Sequence, residues 1–293
     1  MRNKRNDLLK QTIAMPEGYI GGIVSPAYVV FAKEGKILKI VPSSAANLVE
    51  GRTPGAVVTP TVNNAIPVLY ACSETSDRQL VDDGERRQYG DDLYKLNLAA
   101  AAFTNVADKA EQATSAALFA VAAAVLTGSS DYEKILAAVD ALKGKRGKLA
   151  LVGSSSKLRG LRLDDDVKDA LKNTGTIPAT QDPRFASNVA LAACCNVSVV
   201  LEGLDVLWPA NALAVMVLAD KAFAPKQLIQ SMRSVVYAPD NTNPGELIEC
   251  YEGYDDTRKS EYVDVEEWVT PLVLNDSLIQ IIDGSTESGS SGA

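Results

Sequence analysis

Arg52-Thr53-Pro54-Gly55-Ala56, Thr59-Pro60-Thr61, Pro67-Val68-Leu69-Tyr70-Ala71-Cys72 and Leu80-Val81-Asp82-Asp83-Gly84-Glu85-Arg86-Arg87-Gln88 punctuate one continuous stretch, which leads into an alanine-rich helical pattern from Asp91 or Asp92 to Leu126. Prolines at 54, 60 and 67 oppose both helix and central strand. Connections in compact domains usually run ~4–6 residues. An extended passage over 52–90 before a helix of roughly 50 Å therefore reads as a segment that reaches out to neighbouring subunits. The helix opens on acidic residues that complement its dipole. Leu93, Leu96, Ala100, Phe103, Val106, Ala107 and Ala110 form an amphipathic stripe. Alanine has the highest helix propensity, so the element needs little tertiary support. Gly128 is the expected stop.

Upstream, residues 28–31 and 37–41 read as strands, with Glu34-Gly35-Lys36 as the turn of a hairpin. Residues 68–71 and 78–81 read as the arms of a second, longer hairpin. A lone two-stranded hairpin is barely stable and needs a surface to lie on. Downstream, Ser130-Asp131-Tyr132-Glu133 is a capping box that opens a helix to Leu142. A strand at 148–152 and a helix at 164–172 follow. A second helix is expected at 182–195, with Asp182 as N-cap and Pro183 at its first position. Strands are expected at 197–201, 213–218, 245–252, 260–265, 268–274 and 278–282. Residues 285–293 are Ser/Gly-rich and read as a mobile tail. The class is α+β.

Composition excludes several functions. The chain has 293 residues, 46% hydrophobic and 23% charged, with a net charge of −8. No run reaches the ~18 apolar residues of a membrane span, and no secretory signal follows Met1, so use in a cytoplasm is expected. There is no histidine, which removes the commonest general base and the commonest metal ligand. Cys72, Cys194, Cys195 and Cys250 form no C-x-x-C pair and read as buried thiols. An acidic chain does not grip nucleic acid tightly, although an acidic wall would let DNA slide past it. Arg2, Lys4, Arg5 and Lys10 form a basic N-terminal cluster, either a solvated charge run or an arm facing DNA.

Other motifs carry less. Gly153-Ser154-Ser155-Ser156-Lys157 lacks the spacing of a phosphate-binding loop and reads as a polar loop. Asp164-Asp165-Asp166 reads as a cap and solvated first turn rather than a cation site. Asp82, Asp83 and Glu85 opposite Arg86 and Arg87 read either as an exposed turn or as a loop whose charges set register with a neighbour. Trp208-Pro209 and Trp268 read as core or interface anchors.

The order of segments resembles the HK97-like major capsid proteins of tailed bacteriophages. Arg52-Thr53-Pro54-Gly55 and Leu80 to Glu85 resemble the E-loop passage, and Asp91 to Leu126 the spine helix. Leu149-Ala150-Leu151-Val152, Glu202 to Pro209 and Ala212 to Leu218 resemble the axial domain. Glu267-Trp268-Val269, Val273-Leu274-Asn275 and Ile281-Ile282-Asp283-Gly284 resemble the closing β segment.

The resemblance implies an N-terminal arm at 1–50, an E-loop at 51–90 and a peripheral domain with the spine helix at 91–147. It further implies an axial domain at 148–233, closing β segments at 234–284 and the tail at 285–293. It implies a shell of pentamers and hexamers around double-stranded DNA in a virion, assembled in the host cytoplasm. Scaffolding, portal and decoration proteins are its expected partners, with no catalytic residue, cofactor, metal or membrane. Inter-subunit contact is expected at Arg52, Asp82, Asp83, Glu85, Arg86 and Arg87. On this reading, deleting 52–90 abolishes assembly and leaves a soluble, helical species. A nanocompartment shell of the encapsulin kind is the nearest alternative, and a histidine-free α/β enzyme the more distant one.

Overall fold

The computed structural model describes residues 3–5, 7–8, 26–30, 36–41, 64–69, 73–122, 126–145, 147–173, 182, 186–218, 232–237, 248–273 and 276–283. Arg2, Lys10, Arg52, Cys72, the 285–293 tail and the side chain of Trp268 lie outside what is described.

The longest helix, α2 (Asp91–Phe119), has 29 residues and spans about 44 Å at 1.5 Å per residue. Its buried line is Tyr94, Lys95, Ala99, Ala102, Phe103, Val106, Ala107, Ala110, Glu111, Thr114, Ser115 and Leu118. That corrects the expected stripe at its start, since Leu93 is 53% exposed. Alanines surround this helix, so hydrophobicity marks its inner face weakly. The helix also stops seven residues short of Leu126, with Ala120 as C-cap. Propensity would carry it further, but Phe119 packs edge-on against Trp208 at a centroid distance of 6.0 Å, and packing sets the stop.

The larger sheet has the order β1-β10-β11-β9-β2. These strands are β1 (Asn3–Lys4), β2 (Pro26–Val30), β9 (Met232–Tyr237), β10 (Ile248–Asp255) and β11 (Ser260–Val273). A further strand, β5 (Ser73–Leu80), also pairs with β11. The 14-residue β11 replaces the two shorter strands expected at 260–265 and 268–274. Its first part pairs with β10 and β5, and its second with β9. β3 (Lys36–Val41) pairs antiparallel with β4 (Asn64–Leu69), while β2 pairs parallel with β9.

Neither expected hairpin exists. β2 and β3 belong to different sheets, as do β4 and β5. Alternation identified the strands, but their partners are set by long-range pairing that local turn residues do not encode. Both strands of the β3–β4 ribbon are edges, which accommodates Pro67.

The smaller sheet has the order β12-β8-β6-β7. It comprises β6 (Lys148–Ser154), β7 (Val199–Gly203), β8 (Leu213–Leu218) and β12 (Ile279–Asp283). Leu213, Val215 and Val217 face a cluster with helices α3 (Asp131–Leu142), α4 (Ser155–Leu163), α5 (Asp165–Asn173) and α6 (Asn188–Cys194). Ala214 and Met216 face the other way, into the cluster that holds α2 and the larger sheet. Burial on both faces explains the unbroken apolar run of β8. Gly147, at φ 134, lies where a Cβ would stand 2.4 Å from the Leu218 carbonyl oxygen, so only glycine fits that turn.

Local caps follow the expected chemistry in α3. The Ser130 hydroxyl accepts from the Glu133 amide, and the Glu133 carboxylate accepts from Ser129. α6 departs from expectation. It starts after Ser187, whose hydroxyl accepts from the Ala190 amide, so Asp182 is not its cap. Of 183–195, residues 183–185 lie outside the described set.

Candidate inter-subunit contact region

Residues 83–89 are helical, not an exposed loop or turn. Asp82 caps the seven-residue helix α1 (Asp83–Tyr89) and accepts from the Glu85 amide at 2.9 Å. Gly90, at φ 85, ends α1 and opens α2, a backbone conformation that favours glycine. Two ordinary sequence signals, an Asp cap followed by acidic first-turn residues, mark this helix. The prolines upstream obscured them.

Of the contact candidates, Asp82, Asp83, Glu85 and Arg87 are exposed on α1 or its cap. Glu85 meets the Tyr94 hydroxyl of α2, and this contact raises the Tyr94 pKa. Arg86 is turned inward. It lies 2.9 Å from Asp83, 3.1 Å from Glu261 and 3.8 Å from Asp91. Arg52 lies outside the described residues.

Beneath α1 sits a charge cluster that no sequence motif announced. Lys95, its side chain 5% exposed, lies 2.5 Å from Glu252, 2.8 Å from Glu261 and 3.2 Å from Asp91. Burial alone would depress the ammonium, but hydrogen bonds to the three carboxylates hold it above its ordinary value. Lys95 in turn, helped by Arg86, holds Glu261 below the usual carboxylate range. The one available signal was a lysine inside an apolar stripe, four residues after Asp91. The far ends of the cluster could not be read, because Glu252 and Glu261 reach it through the β10–β11 pairing.

Arg5 joins the same cluster, and Lys4 makes a separate pair with β10. Arg5 lies 2.6 Å from Glu252 and 3.1 Å from Asp7, and Lys4 pairs with Glu249. Both cations are thus paired with carboxylates of the same chain. Main-chain pairing of β1 with β10, a bond from the Arg5 amide to the Cys250 carbonyl at 2.8 Å and burial of Leu8 fix residues 3–5 and Leu8 in place.

The serine-rich segment is also structural. Ser154 caps α4, Ser155 donates to Glu202 at 2.6 Å, and the Ser156 amide donates to Asp205 at 2.9 Å. Lys157 lies between Asp131 and Asp283 at 2.9 and 3.1 Å. Carboxylates occupy the donors that a phosphate would need. Asp164 accepts from the Asp166 amide at 3.0 Å, and Asp165 pairs with Lys168. Among the described residues, no cluster of acidic or cysteine side chains could hold a metal ion. No described helix is long and apolar enough to cross a membrane. Cys194, Cys195 and Cys250 are buried and unbridged. Burial pushes the Cys250 thiol up to about 12.

The fold as a whole has counterparts among solved structures. A phage-related protein of Bordetella bronchiseptica superposes with a TM-score of 0.66, covering 98% of this chain and 99% of its own at 14% identity. The chain has the HK97-like capsid fold. The capsid structure of cyanophage P-SCSP1u shares this HK97-like arrangement at a TM-score of 0.55 and 10% identity, over 94% of this chain and 93% of that one. The holo-SrpI encapsulin complex from Synechococcus elongatus does so at 0.55 and 12% identity, over 96% and 94%. No protein-family model and no curated protein matches the sequence. In this HK97-like chain, α1 and the charge cluster lie at the start of the long helix.

Proposed function

We propose that the chain is the major capsid protein of a tailed bacteriophage, self-assembling into the icosahedral shell that encloses the DNA genome. The observation that carries this reading is the HK97-like fold, matched over nearly the whole length of a phage-related protein and of a cyanophage capsid protein. In this reading the chain does no catalysis. Its product is binding energy spread over many contacts, so weak pairwise contacts add up when each subunit touches several neighbours.

Residues 1–50 serve as the arm, 51–90 as the E-loop, 91–147 as the peripheral domain with α2 as spine, and 148–233 as the axial domain. Residues 234–284 close the sheets. Pentamers and hexamers form the shell, and the exposed charges of Asp82, Asp83, Glu85 and Arg87 meet a neighbouring subunit with Arg52. Scaffolding, portal and decoration proteins are the expected partners, the DNA contact is weak and non-specific, and assembly takes place in the host cytoplasm.

A cellular nanocompartment shell is the second reading, favoured by the equal TM-score of the encapsulin. Negative-stain electron microscopy with sedimentation velocity tests both. Closed shells, tubes or five- and six-fold rings are expected. Native particles holding DNA support the phage reading, and a protein cargo supports the nanocompartment. A small species at every concentration and salt, with and without a co-expressed scaffold, overturns both.

A further inference from the structure

Five charges alternate along a line through four elements. Arg5, just beyond β1, meets Oε2 of Glu252 on β10. Oε1 of that same carboxylate meets Lys95 on α2. Lys95 meets Oε2 of Glu261 on β11, and Oε1 of Glu261 meets Arg86 on α1. Each glutamate therefore bridges the shared lysine and one arginine through its two oxygens. Three carboxylates surround the single ammonium of Lys95, which leaves two negative charges over. Arg5 and Arg86 each approach one of the two glutamates from outside.

Two cations that neutralise one anionic cluster act on each other through it. Lys95 is the cation that both glutamates share, so a change at one glutamate reaches the other through it. Lys95 is also free to shift towards the vacated glutamate, which leaves the second glutamate to its own arginine. The partners are only partly exposed, with side-chain exposures of 20% for Glu252 and 36% for Glu261, so solvent screens this interaction less than it would at an open surface.

We propose that the N-terminal segment 3–8 and helix α1 are coupled antagonistically through Lys95, so that releasing one from the cluster tightens the other. The inference rests on intrachain geometry and stands whether or not the chain builds a shell. The coupling gives the protein a reciprocal catch: the two segments that flank the start of α2 resist being released together.

Hydrogen exchange on the full-length chain tests it, with the oligomeric state of every sample matched by sedimentation. In Arg86→Met, amides of 83–89 exchange faster, while those of 3–8 exchange more slowly by about threefold, the size expected of a partly screened ion pair. Arg5→Met gives the mirror image. Both cross-effects fade in 0.5 M salt, roughly where the Debye length falls below ~5 Å. In Lys95→Met the second arginine no longer feels the first, so adding Arg86→Met leaves exchange at 3–8 unchanged. Unchanged or faster exchange at 3–8 in Arg86→Met alone overturns the proposal, as does a cross-effect that survives in the Lys95→Met background.

Discussion

The indole N–H of Trp208 donates to Oε1 of Glu111 at 2.8 Å, joining the long helix to the loop between β7 and β8. One turn along, the Ser115 hydroxyl donates to the Leu207 carbonyl at 3.2 Å. The same loop returns to α4, where the Ala210 carbonyl accepts from Ser154 and Ser156 at 2.6 and 3.1 Å. This loop is therefore the joint between the two apolar clusters, and it explains why Glu111 is buried in an otherwise small-residue helix face.

Gly203 is the floor of that joint. A Cβ there would lie 2.0 Å from the Trp208 ring, so Gly203→Ala must displace the indole. The expected cost is about 1–3 kcal/mol from overpacking, read as a lower urea midpoint with a red-shifted tryptophan emission. Trp208→Phe keeps an aromatic side chain but removes the donor to a buried carboxylate and part of the buried ring system, with an expected loss of at least about 1.5–3 kcal/mol. An unchanged midpoint in both variants would show that the joint carries no stability.

The sequence made the long helix, the β8 strand and the α3 capping box legible, because each is a local pattern. Alanine-rich composition located α2, yet the same composition hid its inner face and its end, which Phe119 and Trp208 settle by contact. Strand partners were misassigned for β2 to β5: β2 and β5 find their partners far along the chain, in β9 and β11, and β3 pairs with β4 rather than with β2, none of which a local turn residue encodes. Of the contact candidates, Asp82 to Arg87 were found as a charge group but read as loop. The inward turn of Arg86 depends on Glu261, which no local pattern places nearby. β5 also changes the deletion experiment. Removing 52–90 takes away a strand paired with β11 from Ser73↔Val269 to Leu80↔Tyr262, and with it the buried Val81, so the remainder would not keep its fold.

Glu267 makes the protein less stable at high pH. The residue is 4% exposed, Oε2 has no hydrogen-bond partner among the described residues, and burial pushes the carboxyl from 4.5 up to about 7. The folded state thus holds a proton that the unfolded state loses first. Stability from this group is complete below pH 4.5 and is lost as pH rises to about 7. Glu267→Gln removes the cost of ionising there, so the variant gains about 3 kcal/mol at pH 8 and little near pH 4.5. Urea midpoints of both proteins at pH 5 and pH 8 check this. Parallel pH profiles would contradict it.

The Lys95 cluster acts on the acid side. Glu261 is held below its ordinary 4.5, chiefly by Lys95. Its contribution is therefore present above pH 4.5 and lost as pH falls through the depressed folded value. Lys95→Met leaves three carboxylates without their shared cation, at an expected cost of about 2–3 kcal/mol at neutral pH. The variant starts lower, and its midpoint falls less steeply below pH 4.5 than that of the unaltered protein. An equally steep acid limb would mean that Glu261 draws its shift from elsewhere.

The exposed charges of α1 separate folding from assembly. Arg87 is exposed, and Asp83 pairs with Arg86 of its own helix at 2.9 Å, with a 74% exposed side chain. Surface substitutions of this kind usually change stability by less than about 0.5 kcal/mol. Arg87→Glu and Asp83→Lys should therefore melt within a few degrees of the unaltered chain. If these residues set register with a neighbouring subunit, each reversal places like charges together across the contact and blocks shell formation. A mixture of the two variants, or the double variant, restores some of it. Asp82→Ala is the control for the cap, since losing the bond to the Glu85 amide costs about 1 kcal/mol without reversing any charge. Thermal melts report folding, and electron microscopy with sedimentation reports shells. Normal shells from both charge reversals would remove α1 from the contact and leave the assembly reading to stand on other surfaces.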